Sequence, residues 1–200
     1  MVFNISDMKA TTALLVVTAI IYATINALAD GKLAREMESA PQIVDTVELI
    51  AVLQPTKGSP TSGVVNFKTL VDGKVEVTGE VKGLQPNSEH GFHIHQYGDI
   101  SSDDGSSLGD HYDPLSMPHS LPTSEHRYAG DFGNIKANAD GVAAIKIIVD
   151  NISLSGEKNP ILGRGLVVHA KPDDGSQPTG NAGARIAVGV IGVHNSGDKK

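Results

Sequence analysis

A chain of 200 residues is one domain with room to spare by the soft prior of about 150 residues each, and its 20% of charged residues exclude a disordered polyelectrolyte. The absence of cysteine rules out disulfides, thiolate metal sites, iron–sulfur clusters and thiol nucleophiles, and 4% aromatics leave Val, Ile, Leu and Ala to build the core. With a formal net charge of −7 there is no basic stripe to displace phosphate counterions, so no nucleic-acid partner is expected.

From Ala10 to Ala29 no residue is charged, and Leu14-Leu15-Val16-Val17 with Ile20-Ile21 forms an apolar centre. Ala27-Leu28-Ala29 then supplies the small residues that signal peptidase needs, so residues 1–29 read as a signal peptide and the product as secreted. An uncleaved membrane anchor is the other reading, because about twenty uncharged residues can just span a bilayer. Residues 30–45 read as a flexible, polar leader of mixed charge, and 195–200 as a solvated tail.

Between them the pattern changes to short β-type runs. The expected strands are Val47–Leu53, Gly63–Leu70, Lys74–Val81, His90–Tyr97, Gly130–Ala137, Val142–Val149, Gly165–Ala170 and Ile186–Val193. Asp72-Gly73 and Asp140-Gly141 lie between such runs and predict hairpins. Val75–Val81 alternates apolar with polar residues, as a half-buried strand does. No sustained helical period follows residue 40, so the domain reads as an all-β antiparallel sandwich or barrel. Asp99–Arg127 and Lys171–Ala184 resist the strand reading, and connections of that length inside a compact domain are usually functional or disordered. Asn151-Ile152-Ser153 is a glycosylation sequon, meaningful if the chain is secreted.

Eight histidines punctuate this pattern: His90, His93, His95, His111, His119, His126, His169 and His194. Period two puts His93 and His95 on one face of a strand, half of a nitrogen-rich metal site. Taken alone, His-x-His is as readily a pair of surface histidines. His169 ends an apolar strand beside the second long loop, and His111 and His119 sit in the first loop near Asp110, Asp113 and Asp131. Imidazoles without sulfur suit copper or zinc, and an adjacent carboxylate suits zinc.

Gly91-Phe92-His93-Ile94-His95-Gln96-Tyr97-Gly98-Asp99 resembles the first copper motif of the copper/zinc superoxide dismutases, and Gly180–Gly192 is similar to that family's C-terminal signature. His111–Leu115, Gly130–Asn134 and Leu154–Gly156 fall between them in family order, so the resemblance covers about residues 46–194. It implies an eight-stranded Greek-key β-barrel with two long metal-binding loops, within the broad sandwich architecture. It also implies that His93, His95, His111 and His169 bind copper, while His111, His119 and Asp131 bind zinc, with His111 bridging the two. Asp173 then tethers a copper-side and a zinc-side histidine, and Arg185 is the cation beside copper that attracts superoxide. The implied reaction disproportionates superoxide to oxygen and hydrogen peroxide by copper redox cycling. A homodimer is the assembly common in the family.

The sequence departs from the family in three places. Tyr128 stands where a fourth zinc ligand, histidine, is expected. His126, about 7 Å away along an extended chain, could replace it only if the loop slips. Zinc is therefore expected to bind more weakly than copper or not at all, with three ligands plus water as the alternative. Gly105 and Val188 occupy the places of the family's disulfide. The loop from His169 to Arg185 is shorter than in typical cytosolic members, leaving Lys171 and Arg185 as its guiding cations. These departures support a second reading, a non-catalytic copper-binding or interaction module on the same barrel. The intact copper ligand set and Arg185 favour the enzyme, and a plain structural sandwich leaves the histidine spacing unexplained.

Overall fold

The structure, a computed structural model, describes residues 48–195 and 197. The expected signal peptide, the whole of the leader and most of the tail lie outside the described residues. Eight strands form: β1 (Leu49–Pro55), β2 (Ser62–Thr69), β3 (Val75–Lys82), β4 (Glu89–His95), β5 (Asp131–Lys136), β6 (Ala143–Val149), β7 (Gly165–His169) and β8 (Arg185–Val193). Each falls within two residues of its expected bounds, because period-two burial is written directly in the side chains.

The strands pair antiparallel in the order β5-β4-β7-β8-β1-β2-β3-β6. The two ends, β5 and β6, approach without laddering, which makes a nearly closed barrel. The turn at Asp72-Gly73 does close the β2–β3 hairpin, with Leu70 N–H donating to Lys74 O at 2.8 Å. At Asp140-Gly141 the expectation of a hairpin fails: the turn forms, with Asn138 N–H donating to Val142 O, but it joins the two unladdered strands. Leu84 N–H donates to Gly141 O at 3.1 Å, which ties the turn to the β3–β4 connection instead.

One alternating set from each strand fills the barrel: Leu49, Ala51 and Leu53 on β1, Val75 and Val77 on β3, Phe92 and Ile94 on β4, and Leu166 and Val168 on β7. β7 is buried along its whole length and β4 along all but its first residue. Their second faces carry His93, His95, Val167 and His169, which the long loops cover. That double burial explains why apolar alternation fades there. The first loop also contains a 3₁₀ turn, Ser106–Leu108, absent from the sequence-based expectation. Its Leu108 packs with Val167 and Val188 in a small separate cluster outside the barrel. The sequon residue Asn151 is half-buried, and its Nδ2 donates to Tyr128 O at 3.4 Å.

Candidate metal centre

Two strand ends and two loops meet on the outer face of β4. His93 and His95 project from β4 on the side opposite Phe92 and Ile94, as the two-residue period requires. The first loop is stitched to the same strand by Gln96 N–H to Asp110 O at 2.9 Å and Tyr112 N–H to Ile94 O at 2.8 Å, bringing His111 across from His95. His169 ends β7, and Asp131 begins β5. His119 is clamped between loops: its N–H donates to Gln177 Oε1 at 3.2 Å, and Gln177 Nε2 donates back to its carbonyl at 2.6 Å.

His93, His95, His111 and His169 each offer one nitrogen, all within 4.8 Å of one another, and all four side chains are buried. His111, His119 and Asp131 form a second set on the same terms. His111 belongs to both sets. Every metal ligand implied by the resemblance is thus brought together. His126 is not: it is exposed, with its N–H on Ser124 Oγ at 3.2 Å, so the idea that it replaces the missing ligand fails. The local turn, rather than extended chain, sets its direction. His90 is also outside the cluster, held between the Ser88 hydroxyl at 2.6 Å and His169 O at 2.8 Å.

Hydrogen bonds select which nitrogen of each ring faces inward. His95 Nδ1 donates to Gly109 O at 2.9 Å and His169 Nδ1 to Gly183 O at 3.1 Å, leaving both Nε2 atoms as lone pairs. Those Nε2 atoms sit 3.3 Å apart, a repulsive arrangement unless a cation lies between or beside them. His93 Nε2 donates to Asp173 Oδ2 at 2.9 Å, which leaves Nδ1 buried with no partner among the described residues. His111 Nδ1 is likewise orphaned, 3.4 Å from Asp131 Oδ1. Buried polar atoms ordinarily find partners, and these lone pairs converge on two points. Neutral imidazoles suit a borderline or soft ion such as copper, and two imidazoles with a carboxylate suit zinc.

The electrostatics agree. Burial lowers the pKa of His93 to about 4 against the pull of Asp173, and lowers His169 to about 3. His95 is pushed well below its ordinary value by burial and by His111. These rings are therefore neutral donors at pH 7. Burial alone would also lower His119, but hydrogen bonds to Asp131 at 3.0 Å and Asp173 at 3.0 Å outweigh it and raise the ring to about 9. Burial would raise Asp131 and Asp173, yet their imidazole partners hold both below the usual carboxylate range.

Asp173 joins His93 to His119, the tether that the resemblance implied. Asn134, which the sequence reading missed, fixes it by exchanging hydrogen bonds with its backbone at 2.7 and 2.9 Å. Arg185, half-buried at the start of β8, donates to the carbonyls of Gly105 and Gly109, the latter at 2.6 Å. Gly109 O thus holds both the cation and the copper-side His95. The sequence signal for these two anchors was only the glycine, since both adopt positive φ, 76° and 74°. The Gly105 and Val188 places lie together, because a methyl group on Gly105 would come 2.8 Å from Val188 Cγ1.

Known proteins resemble this chain over most of its length. The copper/zinc superoxide dismutase family model matches residues 61–191. The chain is 46% identical over 145 residues to the Cu-Zn superoxide dismutase 3 of Arabidopsis thaliana, covering 69% of this chain and 87% of that protein. It is also 46% identical over 155 residues to the Cu-Zn superoxide dismutase of Onchocerca volvulus, covering 72% and 94% respectively.

Proposed function

The chain belongs to the copper/zinc superoxide dismutase family, and from that premise we propose that it disproportionates superoxide with copper held by His93, His95, His111 and His169. The observation that carries the copper assignment is the convergence of four buried imidazoles, three of which (His93, His95 and His169) give their ring proton to Asp173 or a backbone carbonyl and so leave a lone pair free. Bound there, copper supplies a one-electron couple: one superoxide gives up its electron and leaves as oxygen, and a second takes it with two protons and leaves as hydrogen peroxide.

The protein's own residues do the rest. Hydrogen bonds from His95 and His169 to fixed carbonyls lock each ring's tautomer and direction, so little reorganises between oxidation states. His111 Nε2 is the atom positioned to take up a proton and give it to product, with Nδ1 lying 3.4 Å from Asp131 Oδ1 on the other side of the ring. Arg185 keeps its charge, since a guanidinium does not titrate usefully, and its field is felt at His95 and His169. On a chain of −7 this local cation must supply the attraction for the substrate anion.

Zinc is the ion that fits His111, His119 and Asp131, and three donors hold it more weakly than four imidazoles hold copper. A homodimer is supported by exposed Tyr97, Leu162 and Val193, 58%, 43% and 64% exposed, the first two flanking Gly98 and Gly163, which pack together. Sedimentation of the purified chain tests it, a monomer at micromolar concentration standing against it. Secretion through cleavage after Ala29 is tested by sequencing the amino terminus of protein released by expressing cells. The enzyme reading itself is tested by superoxide consumption of copper-loaded protein; copper bound at one per chain without activity would support a binding module instead.

A further inference from the structure

Structural zinc sites fill all four tetrahedral places with protein atoms, whereas three protein donors leave a place for an exogenous ligand. The second position here has three: a nitrogen each from His111 and His119 and an oxygen from Asp131, within 4.8 Å of one another and almost wholly buried. Beside them stands Tyr128, its ring centroid 5.6 Å from His119 and 6.2 Å from His111. Tyr128 N–H donates to Asp131 Oδ2 at 3.1 Å, so its backbone is fixed against the same carboxylate. Its phenol is not among the donors to Asp131, which accepts from His119 Nδ1 and from the N–H groups of Ser120 and Tyr128. Tyr128 is half-buried while the three donors are buried, so of these residues it is the one that reaches solvent. The exposed His126 cannot close the gap.

We infer that the metal at this position carries an exchangeable fourth ligand, admitted beside Tyr128: water at rest, replaceable by a small monodentate anion. The inference rests on reading His111, His119 and Asp131 as a metal position, and the experiment separates the two.

The full chain is loaded with copper(I), which has a filled d shell and no visible d–d bands, at the four-histidine position, and with cobalt(II) at the second. Cobalt absorption then reports only the second position. The expected result is one cobalt per chain whose bands shift saturably with millimolar azide. Tyr128→Phe keeps both the spectrum and the azide shift. Tyr128→His loses the azide shift and slows cobalt release to a chelator by at least about tenfold, since even a residue that only supports a ligand contributes that much to affinity and a fourth donor contributes directly. Bound cobalt that ignores azide overturns the inference alone, as does a Tyr128→Phe spectrum that loses a donor, since the phenolate would then be the fourth ligand. Failure of cobalt to bind at one per chain overturns the metal-position reading and the inference with it.

Discussion

Asp173 divides its carboxylate between imidazoles of different metal positions, Oδ2 on His93 and Oδ1 on His119. Asp173→Asn keeps the shape but removes one acceptor, so metal affinity at the second position is expected to fall about 10- to 100-fold in chelator competition. An unchanged affinity would show that the tether is dispensable. His119 gives a second, independent handle. With its pKa raised to about 9 in the metal-free protein, metal must displace a proton there. Zinc affinity at this position should therefore rise about tenfold per pH unit between pH 6.5 and 9, while copper affinity stays flat over that range, because His93 and His169 are already neutral. Isothermal titration in two buffers of different ionisation heat counts the proton; none released would contradict the account. At this scale the sequence was informative where chemistry is carried by an unusual side chain in a fixed period, as at His93 and His95. It was mute at Asn134 and Gln177, ordinary amides whose role arises only when two loops distant in sequence come together.

At the scale of elements, the Ser106–Leu108 turn is held to the barrel by packing. Gly105 precedes it in the left-handed region and faces Val188, while Leu108 fills the space between Val167 and Val188. Gly165 has no room for a side chain there, since a methyl group would meet Leu108 Cδ2. Gly105→Ala combines a strained φ of 76° with a 2.8 Å approach to Val188 Cγ1. It is expected to cost about 1–3 kcal/mol in urea unfolding and to loosen the carbonyl that anchors Arg185. Leu108→Ala should cost about 2–5 kcal/mol without touching a metal ligand. A loss within about 0.5 kcal/mol, as is ordinary for surface sites, would deny this cluster its role. The strands were legible because a half-buried strand announces itself every second residue. The turn was not, since its geometry comes from bonds such as Ser107 Oγ to Asp99 O at 2.5 Å, and polar loop residues satisfy many conformations equally. The β5–β6 relation was illegible for the same reason: Asp140-Gly141 specifies a turn, and the contact with Leu84 decides what the turn connects.

For the molecule as a whole, charge and protonation set the conditions of work. Because the protein carries −7, Arg185→Ala is expected to slow superoxide consumption at least about tenfold at low ionic strength, the gap narrowing as salt shortens the screening length to about 3 Å at 1 M. Rapid-mixing kinetics across a salt series decides; a gap indifferent to salt would give Arg185 a role other than attraction. In the metal-free protein, His93 and His169 have folded pKa values near 4 and 3, below the unfolded value of about 6.5. The unfolded chain then binds more protons as pH falls below 6.5, so the urea midpoint should drop between pH 6.5 and 4. His119 cannot offset this, since its raised pKa contributes fully below 6.5 and is lost only as pH climbs through about 9. Asp131 and Asp173, lowered in the fold, lose their contribution only at still lower pH. Copper loading should abolish the loss over pH 6.5 to 4 wherever the ion stays bound.

The most direct measurement is superoxide consumption followed while copper is added stepwise to the metal-free chain. The account predicts a linear rise that breaks at one copper per chain, with the break and the activity both lost in His95→Ala. Full copper loading with no superoxide consumed would contradict it.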